Sequence, residues 1–171
     1  MIDFTSGNIL NDRSQAIVNT VNCVGVMGKG LALQFKKAFP ENFKKYKAAC
    51  DSGEVRTGKM FVTKYQDMLD DKYIINFPTK NHWKGNSKIE YIEEGLADLV
   101  RKIKELDIKS VAIPPLGAGL GGLPWGEVKA LILEAFADLE GVKVTIYEPK
   151  GNPRSTEIVN NTKRPNMTRG R

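Results

Sequence analysis

Two glycine-bearing segments have the spacing that phosphate chemistry would use. In AIVNTVNCVGVMGKGLALQFKKAF, residues 16–39, the apolar run Ala16-Ile17-Val18 gives way to Gly28, Lys29 and Gly30, after which Leu31, Ala32, Phe35 and Ala38 recur at helical spacing. A strand therefore enters a glycine turn and leaves as a helix, whose first backbone N–H groups are unpaired and carry the positive end of the helix dipole. Such a junction suits a phosphate or diphosphate, although similar turns join strands to helices in α/β domains that bind nothing. In the second segment, LGAGLGGLP at 116–124, Gly117, Gly119 and Gly122 satisfy G-x-G-x-x-G between an expected strand and an expected helix, and Glu148 ends a later strand where an acid could hold a ribose. That fingerprint normally belongs to the first strand-helix unit, whereas here it lies late, behind Pro114-Pro115. The reading that uses both segments is a pair of loops, each at the carboxyl end of a buried strand, closing over one polyphosphate.

Between them lies the polar loop PTKNHWKGNS, residues 78–87. Its His82 is either a general base or a hydrogen-bonding surface residue, and Trp83 offers a ring on which an unpaired nucleobase can stack. Trp125 opens a helix and is expected in the core or in a pocket wall. One histidine and two distant cysteines, Cys23 and Cys50, give neither zinc-ligand spacing nor a disulfide framework, so no metal and no cofactor are expected. The start MIDFTSGNIL lacks a secretory signal and no apolar run is long enough to cross a bilayer. A soluble, cytoplasmic, monomeric protein with no membrane partner is the expectation. The net charge of +6 is concentrated at one end: residues 150–171 carry +5 and residues 1–149 only +1. That segment, rich in Asn, Pro, Thr and Gly, is expected to be an extended basic arm able to hold a phosphate backbone.

The elements that must position these loops can be read in order. A strand is expected at 1–4, a turn at 5–8, the central strand and helix, and a second helix starting at Pro40 and stopping at Gly53. Strands follow at 60–65 and 73–77, antiparallel across a polar turn at 67–71. Ser87 with Glu90 forms a capping-box pattern for a long helix whose Ile89, Ile92, Leu96, Leu99, Ile103 and Leu106 share one face. A buried strand at 110–113, a helix containing Val128, Leu131, Ile132, Ala135 and Phe136, and a last strand at 142–147 complete the chain. With 41% hydrophobic residues, 171 residues suit one α/β domain with a mixed, mostly parallel sheet of about six strands between helical layers.

Gly7-Asn8-Ile9, IVNTVNCVGVMGKGLALQFK, NFPTK and PPLGAGLGGLPW, four motifs in order over residues 1–149, resemble the macrodomain family of ADP-ribose-binding modules. Within it they are most similar to the branch of DNA ADP-ribosyl glycohydrolase antitoxins and the related terminal ADP-ribose protein glycohydrolases. The resemblance implies a three-layer α/β/α macrodomain at 1–149, with 150–171 as the tail. It also implies a set of ADP-ribose contacts: Asn8, where many members have Asp, and Ile9 beside the adenine, Asn22 beside the distal ribose, and Tyr147 stacked on adenine. Val26, Met27, Gly28, Lys29 and Gly30 match the first diphosphate loop, and Gly117, Ala118, Gly119, Leu120, Gly121 and Gly122 the second. Lys80 matches the catalytic lysine of the branch. A lysine amine is nucleophilic only when neutral, and desolvation or nearby positive charge favours that form. In the protein-directed relative an aspartate assists the lysine, and Gly121 stands at the matching position.

The activity so implied is removal of ADP-ribose from modified DNA, most simply a thymidine of a single strand, by an antitoxin to a DarT-like toxin. His82 and Trp83 are then candidates to contact the DNA. The alternatives are a mono-ADP-ribose glycohydrolase acting on protein, a non-catalytic ADP-ribose reader, and a phosphatase acting on ADP-ribose phosphate.

Overall fold

In this computed structural model, which describes residues 1–149, five strands run the same way because the chain between them returns along the faces of the sheet. The basic segment 150–171, and with it the expected arm, lies outside the described residues. The strands are β1 (Ile2–Thr5), β2 (Ala16–Val21), β3 (Phe61–Asp67), β4 (Asp70–Pro78), β5 (Ser110–Ile113) and β6 (Lys143–Tyr147). They form one sheet in the order β1-β6-β5-β2-β4-β3, and only the edge strand β3 is antiparallel to its neighbour. Helices α1 (Gly30–Ala38) and α2 (Pro40–Asp51) connect β2 to β3; α3 (Ile89–Glu105) connects β4 to β5 and α4 (Trp125–Phe136) connects β5 to β6. This is the expected three-layer α/β/α arrangement around a mixed, mostly parallel six-stranded sheet.

Alternation along the strands splits the core between the two faces. Val18, Ile75, Phe77, Val111, Ile113, Val144 and Ile146 pack with α3 and α4 through Ile92, Leu96, Leu99, Ile103, Val128, Ile132 and Phe136. Ile17, Ile74 and Ala112 join Phe35 of α1 on the other face, where Tyr46 and Ala49 of α2 form a further cluster with Val21, Met27 and Val55. Gly95 in the middle of α3 explains one close approach. A Cβ there would collide with the Phe77 ring, so the glycine, worth about 1 kcal/mol against the helix elsewhere, lets strand and helix meet.

Under α2 the core is polar. Asn19 and Asn42 both donate to Asn76 Oδ1 at 3.2 Å, Asn76 returns a bond to Asn42 Oδ1 at 2.9 Å, and Thr63 donates to the same oxygen at 2.7 Å. This buried network ties α2 to β2, β3 and β4, because each amide left unpaired there would lose its hydration uncompensated.

Two local expectations are corrected. The hairpin turn is not 67–71 but the two residues Met68 and Leu69, with Met68 at φ 59°; cross-strand pairing continues through the polar residues because this edge faces water. The capping box also fails to form. Lys88 is the N-cap of α3 with no side-chain bond, and Ser87 is buried against the second glycine loop, its backbone N–H donating to the Gly121 carbonyl at 3.1 Å.

Candidate functional site

The carboxyl ends of β2, β4 and β5 open into a cavity of about 470 Å³, the crevice where parallel sheets of this kind place ligands. The two glycine loops and the segment after β4 all contribute to its wall. Helix α1 begins there: Gly30, Leu31 and Ala32 line the cavity, and the N-cap Lys29 makes no side-chain hydrogen bond to the first turn. The N–H groups of that turn and the helix dipole are therefore available to an anion.

The first loop is held by Asn22. Its Oδ1 accepts from Val24 N at 3.0 Å and Val26 N at 3.3 Å, its Nδ2 donates to the Val26 carbonyl at 2.8 Å, and the Tyr46 hydroxyl reaches Oδ1 at 2.7 Å. The family resemblance implies a place for Asn22 beside the distal ribose. It does line the cavity, but most of its hydrogen-bonding capacity is spent on shaping the loop. Tyr46, fully buried on α2, was not foreseen; a lone tyrosine in an amphipathic helix looks like any core aromatic. Burial, with the neighbouring Cys50 thiol, pushes its pKa upward, so it stays a neutral donor.

Beyond β4 the chain remains laced to β2. Thr79 N donates to the Val21 carbonyl at 2.9 Å and Cys23 N to the Asn81 carbonyl at 3.1 Å, while the Cys23 thiol lies 3.5 Å from the Lys80 carbonyl. Lys80 is thus fixed by its backbone, half-buried, and is one of the residues lining the cavity. Cys23 is half-buried, and desolvation raises its pKa to about 11. Trp83 lines the same wall; His82 does not, and its Nδ1 accepts from Lys84 N at 3.1 Å.

The second loop turns at Gly117 (φ 69°) and Gly122 (φ 82°) and closes through Leu123 N to the Gly117 carbonyl at 2.9 Å. Gly119 faces open space, with nothing within 4 Å of a Cβ built on it. Gly121 is the opposite case. A Cβ there would collide with Ser87 Oγ and sit 2.5 Å from the Gly117 carbonyl oxygen, so no side chain fits without rebuilding the loop. Among the described residues the ionisable side chains of the cavity wall are Lys29 and Lys80; no carboxylate or imidazole lines it. The loops also meet each other, since a Cβ on Gly30 would lie 3.3 Å from Leu120 Cδ1.

Of the residues expected to bind, Asn22, Val26, Gly28, Lys29, Gly30, Lys80, Trp83, Gly117, Gly119, Leu120 and Gly121 line the cavity. Ala118 and Gly122 belong to the second loop without lining it. Met27 is buried beneath the first loop in the cluster of Tyr46. Asn8 caps a short 3-10 turn, accepting from Leu10 N at 3.0 Å, and Ile9 is buried in that turn. Ile9 and Tyr147 belong to the same apolar cluster as Leu31, which does reach the cavity. The Tyr147 hydroxyl donates to Asp12 at 2.7 Å. Asp12, although burial opposes its charge, is held below the usual carboxylate range by bonds from Ser14 and Tyr147. Glu148 is not a ribose ligand: it is buried, 3.2 Å from Trp125 Nε1 and 3.0 Å from Lys129 Nζ. Trp125 is accordingly an anchor of α4 and not a cavity residue. Thr20, Thr79, Pro114 and Pro115 line the cavity and were not singled out as ligands; their signal is position alone, at the carboxyl ends of β2, β4 and β5.

A family model for the Macro domain matches residues 18–132. A DNA ADP-ribosyl glycohydrolase of Thermus aquaticus is 53% identical over 171 residues, all of this chain and 48% of the relative. The chain spans about half the length of the curated relatives it matches first. Among solved structures, the macrodomain of Mycobacterium tuberculosis DarG superposes with a TM-score of 0.85 at 55% identity, covering 88% of this chain and 99% of that one. Thermosipho africanus DarTG in complex with ADP-ribose gives a TM-score of 0.83 at 38% identity, over 89% of this chain and 42% of that one.

Proposed function

The chain belongs to the Macro domain family, and on that premise we propose that it is a glycohydrolase that releases ADP-ribose from modified DNA, with a thymidine base as the leaving group. The observation that carries the proposal is that Lys80 lines one cavity together with the uncapped N-terminus of α1 and both glycine loops. A diphosphate seated on α1 and the loops would leave the distal ribose to face Lys80. Two further supports are the relatives named DNA ADP-ribosyl glycohydrolase and the structure of a relative titled as a complex with ADP-ribose; the role of Lys80 itself is what the resemblance of the NFPTK motif implies.

In this reading neutral Lys80 Nζ attacks C1 of the distal ribose, and the Nζ–C1 bond forms as the bond from C1 to the base breaks. The base leaves with the bonding pair and takes up the proton that Nζ sheds, so no carboxylate at the position of Gly121 is needed. Opening of the sugar ring gives a Schiff base; water then adds to C1, the Nζ–C1 bond breaks, and ADP-ribose departs with the lysine restored. The partners belonging to the proposal are ADP-ribosylated single-stranded DNA and a cognate DarT-like toxin, met by a monomer in the cytoplasm.

The test is incubation with ADP-ribosylated DNA and with ADP-ribosylated protein, measuring free ADP-ribose from each. Release from DNA alone supports the proposal, release from protein alone replaces it with protein deconjugation, and binding without release makes the domain a reader.

A further inference from the structure

The rim of the cavity has a composition that holding a diphosphate would not by itself explain. Among the described residues seven large hydrophobic side chains are exposed, and four of them, Val24, Val26, Trp83 and Leu120, sit on the three loops that frame this one opening. Exposed apolar side chains gathered at a functional mouth mark a contact surface. Trp83 is the largest, 46% exposed, with the Lys84 ammonium 5.1 Å from its ring centroid and the His82 ring 5.3 Å away. These neighbours brace an aromatic plate beside Lys80.

Charge is equally one-sided. The segments 22–32, 79–88 and 114–123 contain Lys29, Lys80, Lys84 and Lys88 and no Asp or Glu. An opening framed by apolar side chains, on segments that carry four lysines and no acid, is poorly matched to an ordinary polypeptide, whose backbone carries no charge. It is well matched to a strand that alternates flat bases with phosphates.

We infer that Trp83 and the rim around it form a second subsite, which takes the unpaired base adjoining the modified nucleotide and stacks it on the indole while Lys84 meets its phosphate. The inference rests on the glycohydrolase proposal, which already takes the DNA as a single strand, and adds to it a flanking contact and a minimum length of two nucleotides. In a duplex both faces of each base are covered by its neighbours, so a flanking base can reach the ring only when unpaired.

The experiment has two arms. In the first, kcat/KM is measured on an ADP-ribosylated thymidine oligonucleotide and on ADP-ribosylated thymidine nucleoside. The wild type should prefer the oligonucleotide, Trp83→Ala should collapse that preference by about tenfold, the order of one lost stacked base, and Trp83→Phe should keep most of it. Loss of the same factor on both substrates, or no loss on the oligonucleotide, overturns the subsite.

The second arm is independent of turnover. Unmodified single-stranded DNA carrying 5-iodouracil is irradiated with the full chain and the adduct is mapped. Attachment at Trp83, absent with the matching duplex, supports the subsite even where no glycohydrolase activity is found. Attachment confined to residues outside the 79–88 loop overturns it even where ADP-ribose release from DNA is efficient.

Discussion

The hydroxyl of Tyr46, on α2, lies 2.7 Å from the side-chain oxygen of Asn22 and 2.8 Å from its carbonyl, so the one proton of a buried phenol is within reach of both acceptors of the residue that shapes the first glycine loop. We predict that Tyr46→Phe costs about 1 kcal/mol of stability, the usual worth of one such bond, and weakens ADP-ribose binding severalfold while the helix stays packed. Chemical denaturation gives the first quantity and calorimetry the second. Unchanged affinity would show that the loop keeps its shape without the tyrosine.

Lys80 separates catalysis from recognition. Lys80→Ala should lose most of the release of ADP-ribose from DNA yet keep ADP-ribose affinity, because α1 and the glycine loops supply the contacts made in the ground state. Lys80→Arg should be nearly as inactive, since a guanidinium does not lose its proton. Borohydride added during turnover should trap ADP-ribose on Lys80 of the wild type. Full activity of Lys80→Ala removes the lysine from the mechanism.

Gly119 has open space where a side chain would start and lies in the cavity wall. Gly119→Glu should therefore fold normally and lose ADP-ribose binding, because its carboxylate would occupy the place of the phosphates and repel them. A folded variant with wild-type affinity would show that the second loop does not embrace the diphosphate.

Asp12 and Tyr147 give a pH dependence with a definite sign. The carboxyl of Asp12 is held below its usual range in the folded chain, so the stability it contributes is complete above the unfolded value of about 4 and is lost as pH falls through the folded value. Tyr147→Phe removes one of its donors. The variant should be less stable than the wild type by about 1 kcal/mol at pH 7, the scale of a partly exposed charged hydrogen bond. That gap should close as pH drops below about 4. Urea unfolding at a series of pH values reads it directly, and a gap independent of pH would assign the loss to packing alone.

Cys23 ties the first loop to the backbone of Lys80 through its N–H bond to Asn81 and its thiol near the Lys80 carbonyl. With its pKa raised to about 11, it should react slowly with iodoacetamide at pH 7 and faster as pH rises toward that value. In a Cys50→Ser background, turnover should fall in step with the labelling of Cys23. Full activity after complete labelling would mean that Lys80 is positioned without it.

Much of this arrangement was legible in the residues themselves. β-Branched runs ending in glycine turns marked the strand-to-helix junctions, and the motif order placed both loops and Lys80 at one end of the sheet. What was not legible depends on partners remote in sequence. Ser87 and Glu90 have the spacing of a capping box, yet Ser87 is drawn beneath the second loop by Gly121, which no local pattern foretells. Glu148 looked like a ribose ligand at a strand end, but Trp125 and Lys129 arrive from α4 and take its carboxylate. The buried amides of Asn19, Asn42 and Asn76 resemble ordinary polar residues until two strands and a helix bring them together.

Gly121 also governs how this site can change over generations. A glycine codon can become an aspartate codon by a single nucleotide substitution, so the genetic code leaves open a short path to a carboxylate beside the lysine. The packing closes that path: the hydroxyl of Ser87 and the carbonyl of Gly117 occupy the space the new side chain would enter. The Ser87 hydroxyl can rotate aside, but the Gly117 carbonyl, 2.5 Å from the new Cβ, is backbone and must shift before a side chain is admitted. A single-base change in the codon is thus a small step in sequence and a large one in backbone geometry.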